Sequence, residues 1–143
     1  MNKRVLILLV FLMGMSFLHA QGPVRDRIKT LKVAFITERV GLTSQEAQQF
    51  WPIYNEHEDA MENIRRKEVQ ARLSAAQGLS DSESAALLDN FIALETEKHN
   101  ADQLFISKVR EVISPKKVLL LLKAEDDFKK RLLQQYRRKQ GGG

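Results

Sequence analysis

The sequence of 143 residues has no cysteine, only three prolines and only seven glycines, four of which (Gly14, Gly141, Gly142, Gly143) lie near the two ends. Without cysteine there are no disulfides, no thiolate metal ligands, no thiol nucleophile and no site for a lipidated N-terminal cysteine. Gly22, Gly41 and Gly78 are the only glycines left in the body of the chain. A sheet of this length needs many turn residues, so the scarcity of Gly and Pro beside Ala, Leu, Glu, Lys, Arg and Gln points to an all-α fold. Neither G-x-x-x-x-G-K-[ST] nor G-x-G-x-x-G occurs, which removes phosphate-cradling loops and nucleotide-driven chemistry. G-x-S-x-G and H-E-x-x-H are missing too. Neighbouring acids such as Glu58-Asp59 and Asp126-Asp127 diverge by about 100° on a helix, so they make no acid/base dyad. No enzyme and no cofactor is expected.

What is present starts with an export signal. Lys3 and Arg4 precede the apolar run Val5–Leu18, and His19-Ala20 then meets the polar Gln21, the order of a cleaved secretory leader. The expected division is a signal peptide over 1–20, a single helical domain over 21–139 and a flexible tail over 140–143, with the product in the periplasm. A retained N-terminal anchor is the alternative. Charge is unevenly spread. Residues 21–43 hold five basic and two acidic side chains, and 103–139 hold eleven and four. The intervening 44–102 hold five basic against twelve acidic. Export makes nucleic acid an unsuitable partner, so the basic ends are expected to face acidic clients, an anionic membrane surface or the acidic middle of the same fold.

Four helices follow from periodicity and caps. Val24, Ile28, Leu31 and Phe35 recur at helical spacing, with Arg25, Lys29 and Lys32 beside them, and Gly41 ends that helix. Thr43-Ser44-Gln45-Glu46 fits a capping box that opens a second helix, which runs to about Ala76 and contains Pro52, where a kink is expected. A separate helical turn before Pro52 is the other reading. Ser80-Asp81-Ser82-Glu83 repeats the box for a third helix extending through Val112, and Ser114-Pro115 opens a fourth carrying Val118, Leu121, Leu122, Phe128, Leu132 and Tyr136. Helices two and three are expected to form a long antiparallel hairpin about Gly78. Its seam reads Phe50, Tyr54, His57, Met61, Ile64, Glu68, Ala71 and Ala75 on one side. On the other it reads Leu88, Phe91, Glu95, Lys98, Asp102, Phe105, Val109 and Val112. Polar entries dilute that seam, so the shorter helices or a second copy must cover it. The run Leu119–Leu122 wraps the helix circumference and favours a homodimer, with burial against two helices of the same chain as the alternative.

The leader, the four helices, Leu42-Thr43-Ser44-Gln45-Glu46 and Ile113-Ser114-Pro115-Lys116-Lys117 together resemble the Spy/CpxP (LTxxQ-motif) family of small periplasmic helical proteins. The resemblance covers Val24 to about Arg138. The first motif has Glu46 where the family has Gln; the second keeps a hydroxyl and Pro115, with Ile113 for Leu and Lys117 for Gln. Leu31–Glu58, with its Phe-Trp-Pro-Ile-Tyr-Asn-Glu core, looks like the branch often labelled sensors of extracytoplasmic-function sigma factors. Leu42, Thr43, Glu46, Ile113, Ser114 and Pro115 are the motif positions carried over. The resemblance implies a cradle-like antiparallel dimer that binds unfolded envelope proteins without ATP or acts on a membrane-bound regulator, and some relatives sense metals.

Two candidate sites result. Arg25, Ile28, Lys29, Leu31, Lys32 and Phe35 combine apolar contact with positive charge and suit partly unfolded clients. The alternative is metal: in a hairpin centred on Gly78, His57 and His99 stand at equal height, with Met61, Glu95 and Asp102 one helical turn away. Such a cluster would hold zinc, copper or nickel.

Overall fold

The computed structural model describes residues 22–141, so the leader expected over 1–20 lies outside the described residues, as do the last two residues of the tail. Among the described residues the chain is entirely helical, with no strand: α1 (Gly22–Val40), α2 (Ser44–Ala75), α3 (Asp81–Arg110) and α4 (Pro115–Gln140). None of these helices is long and apolar enough to cross a membrane.

Local chemistry accounts for the boundaries. The Thr43 hydroxyl accepts from the Glu46 amide (3.2 Å) while the Glu46 carboxylate accepts from the Thr43 amide (2.8 Å), completing the box at the start of α2. Ser80 and Glu83 do the same for α3, at 3.4 and 2.9 Å. Each box satisfies two amides that a helix start would otherwise leave unpaired. Gly41 and Gly78 end the preceding segments with φ of 67° and 68°, a backbone region that costs a residue with a Cβ about 1 kcal/mol or more. At α4 the Lys117 amide reaches the Ser114 hydroxyl (3.4 Å), and Pro115 occupies the first helical position. α2 runs through Pro52 as one helix, so the reading of a separate turn before Pro52 does not hold.

The residues fall into two compact units. One is Val40–Leu122, containing α2, α3 and the start of α4. Its core holds Phe50, Tyr54, Ile64 and Ala71 from α2 and Leu94, Phe105 and Val109 from α3, with Ile113, Val118 and Leu121. Among the described residues, polar links that join α2 to α3 include Glu56 with Lys108 (2.7 Å), His57 with Asp102 (2.9 Å) and Lys67 with Glu97 (2.7 Å). Numbers rise along α2 as their partners' fall along α3. The other unit contains the described residues 22–39 and 123–141 and buries Ile36, Ala124 and Phe128.

Several expected apolar positions differ. On α3, Leu88 is 63% exposed, and Leu94, six residues further on, takes the buried place at 4%. The expected stripe of α1 is not its buried edge: Val24, Ile28 and Leu31 are exposed and Phe35 is half-buried, whereas Ile36 and Val40 are buried. One residue along a helix turns the side chain by about 100°, so a stripe ending on Phe35 and one ending on Ile36 are different faces. On α2, Ala75 is exposed as the last residue of the helix. On α4, Leu121 and Phe128 are buried, while Leu119, Leu120, Leu122 and Tyr136 are exposed in the single chain. α3 ends at Arg110, two residues short of Val112.

Candidate client-binding surface

The unit built from residues 22–39 and 123–141 is strongly basic, with twelve Lys and Arg against five Asp and Glu. Residues 40–122 hold nine against thirteen. Charge is thus separated between the two units as well as along the sequence, which focuses attraction for anionic chains on the first.

Within that unit α1 presents the stripe Val24, Ile28, Leu31 and Phe35. Val24 is 59% exposed and Leu31 50%, values that leave at least half of each in water. Arg25 and Lys29 are exposed beside it, and Lys32 is half-buried and engaged by a neighbour. Phe35 anchors the end of the stripe. Its ring lies 5.6 Å from that of Phe128 on α4, and the guanidinium groups of Arg39 and Arg131 stand 5.3 and 4.9 Å from its centroid. The ring's electron-rich face attracts both cations, so three side chains outside the expected set hold Phe35 in place. Arg39 was legible in principle, four residues after Phe35 and therefore on the same helix face. Arg131 and Phe128 depend on tertiary packing and carried no local signal.

The motif residues converge on one point of the other unit. The Lys117 ammonium donates to the Glu46 carboxylate (2.6 Å) and to the Gly41 carbonyl (2.7 Å), joining the start of α4 to the turn before α2. Lys117 first, and the Thr43 amide second, hold the Glu46 carboxyl below the usual carboxylate range. Ser80 does the same for Glu83, through its hydroxyl and then its amide. Ile113 is buried, Leu42 is half-buried, and Ser114 and Pro115 are exposed at the cap. These positions do structural work: they fix how two helices begin.

The proposed metal set is only partly assembled. His57 meets Asp102 rather than His99, since the three links between α2 and α3 centre beyond Gly78 and displace the assumed pairing. His57 also stacks on Phe105, with centroids 4.2 Å apart and planes at 16°, and its Nδ1 is buried without a partner. Glu95 and His99 are exposed on α3, and Met61 is half-buried on α2. Among the described residues no three His, Cys, Asp or Glu side chains stand together as a cation site requires. An open depression of about 60 Å³ lies beside this pair, lined by Ile53, Ala60, Ala101, Leu104 and the Glu56–Lys108 link. It is too small to enclose more than a single side chain.

No protein-family model, curated protein or solved structure matches this chain.

Proposed function

We propose that this chain is an exported, ATP-independent binding protein of the Spy/CpxP type, which engages partly unfolded envelope proteins through α1 and acts by binding rather than by catalysis. In this reading α2 and α3 form the antiparallel hairpin of a cradle-like homodimer in the periplasm. The observation that carries the proposal is the exposed row Val24, Ile28 and Leu31, ending on the half-buried Phe35, beside Arg25 and Lys29, in a unit with an excess of seven positive charges over residues 22–39 and 123–141. Exposed apolar side chains in a row are costly to keep in water and mark surfaces that another molecule covers. Adjacent cations attract acidic, collapsed chains before apolar contact forms. Neither step needs nucleotide, in keeping with the lack of any phosphate-binding motif.

The test is suppression of aggregation. The purified exported chain should hold a chemically denatured model protein in solution near stoichiometry. Replacing Arg25, Lys29 and Lys32 together by Glu should weaken that effect most at low salt, where the Debye length is long. Unchanged protection by the triple variant removes α1 from the mechanism. The resemblance of Leu31–Glu58 to sigma-factor sensors supports a second reading, contact with a membrane-bound regulator. A chain that protects no client, yet whose deletion alters transcription of a sigma-factor regulon, would establish that reading instead.

A further inference from the structure

The last three turns of α4, Lys129–Lys139, contain six Lys and Arg and no acidic residue. Two of the six are already committed. Arg131 lies over the Phe35 ring, and Lys130 donates to Asp126 at 2.6 Å, which raises the Lys130 pKa. Among the described residues Lys129, Arg137, Arg138 and Lys139 have no ion-pair partner. Leu133 and Tyr136 sit among them, 53% and 66% exposed, while Phe128 on another side of the helix is buried. On a helical wheel Lys129, Leu133, Tyr136 and Arg137 share an arc of about 100°, and Arg131 and Arg138 point away from it.

We infer that this arc of α4 is a docking surface for an anionic phospholipid membrane, lying in the headgroup plane with Leu133 and Tyr136 inserted and Lys129 and Arg137 on lipid phosphates. Charge complementarity and the placement of the apolar pair select this occupant. A soluble polyanion would engage the cations but would leave Leu133 exposed to water. A tyrosine offers an apolar ring to the acyl boundary and a hydroxyl to the headgroups, the usual place of this residue at membrane interfaces. No described helix is apolar enough to span, so α4 lies on the surface and binds reversibly. The inference uses neither the stripe of α1 nor its cations, although the α4 cations also count in the positive excess on which client binding draws, and the last outcome below separates the two.

Vesicle co-sedimentation of the exported chain decides it. The chain should bind vesicles of phosphatidylcholine mixed with phosphatidylglycerol, should bind pure phosphatidylcholine far less, and should dissociate at high salt. Lys129→Glu with Arg137→Glu should lower partitioning by about 20-fold or more, given the per-charge contribution at anionic surfaces. Leu133→Asp should lower it by about tenfold through loss of inserted apolar area, with helicity by circular dichroism confirming that the variant folds. The milder pair Lys129→Gln and Arg137→Gln, at exposed positions, covers the case in which a charge reversal perturbs α4. Equal binding to neutral vesicles overturns the proposal, as does binding that Leu133→Asp leaves intact. If the charge-reversed chain keeps its vesicle binding but loses protection of a denatured client, the basic end belongs to client recognition and the lipid assignment is wrong.

Discussion

Lys117 and Glu46, 71 residues apart in sequence, are joined by a 2.6 Å charge-assisted hydrogen bond, and the same ammonium caps the Gly41 carbonyl at 2.7 Å. The carboxylate is shared with the Thr43 amide, so one side chain both starts α2 and holds the beginning of α4. Lys117→Met removes the donor while keeping an unbranched apolar stem out to the Cε position. It is expected to lower the melting temperature by a few degrees, read by circular dichroism. The same bond sets a pH dependence. Glu46 and Glu83 are held ionised more strongly in the folded chain than in the unfolded one, so the unfolded chain takes up protons first as pH falls. Their contribution is complete above the ordinary glutamate pKa of about 4.3 and disappears as pH drops through the lower folded values. In Glu46→Gln with Glu83→Gln, the loss of stability between pH 6 and about 3 should be shallower than in the wild type. Parallel curves would contradict this account.

Leu94 and Leu88 make a paired test of the α3 face. Leu94→Ala empties a buried site and should cost about 2–5 kcal/mol in chemical denaturation. Leu88→Ala removes a side chain that is mostly in water and should stay within about 0.5 kcal/mol. A reversed order would restore the face expected from sequence. A large loss at both would instead indicate that a second copy covers Leu88.

His57 is held by a ring stack and one hydrogen bond, and it carries one unsatisfied buried nitrogen. His57→Phe keeps the stack and removes that nitrogen at the expense of the bond to Asp102, so its net effect should be within about 1 kcal/mol. His57→Ala loses the ring and should cost more, about 2–3 kcal/mol. Because among the described residues Asp102 is the one carboxylate bonded to His57, zinc at tens of micromolar should leave the melting temperature of both variants and of the wild type unchanged.

Gly41 and Gly78 have positive φ, with open space where a Cβ would stand. Alanine at either position should therefore cost about 1 kcal/mol through backbone strain alone, with no steric term. D-alanine, introduced by chemical ligation, should recover the loss, since it favours the left-handed region.

The readable parts of this fold are the local ones. Both capping boxes, both glycine stops and the Ser114-Pro115 start were visible because each depends on residues within a few positions. Faces were harder. Leu87, Leu88, Phe91, Ile92 and Leu94 offer two overlapping stripes on α3, and only the partner helix selects the one through Leu94. α1 has the same ambiguity between Phe35 and Ile36. The pairing of His57 is not legible locally, because a pivot at Gly78 ignores how the turn through Ser80 offsets the two helices. At the candidate surface the α1 stripe and its cations were legible, yet the Arg131 and Phe128 contacts to Phe35 join residues about a hundred positions apart, beyond any local pattern.

Pro52 has no amide, so the Gln48 carbonyl lacks its usual partner one turn ahead in α2. Rings pack across the same turn: Phe50, Trp51 and Tyr54 lie within 5.0–5.5 Å of one another on both sides of the proline. Trp51 is the sole tryptophan of the chain. Its fluorescence therefore reports on the turn of α2 where one backbone hydrogen bond is missing and ring contacts add to those that remain, so the native protein carries a built-in optical gauge of that turn.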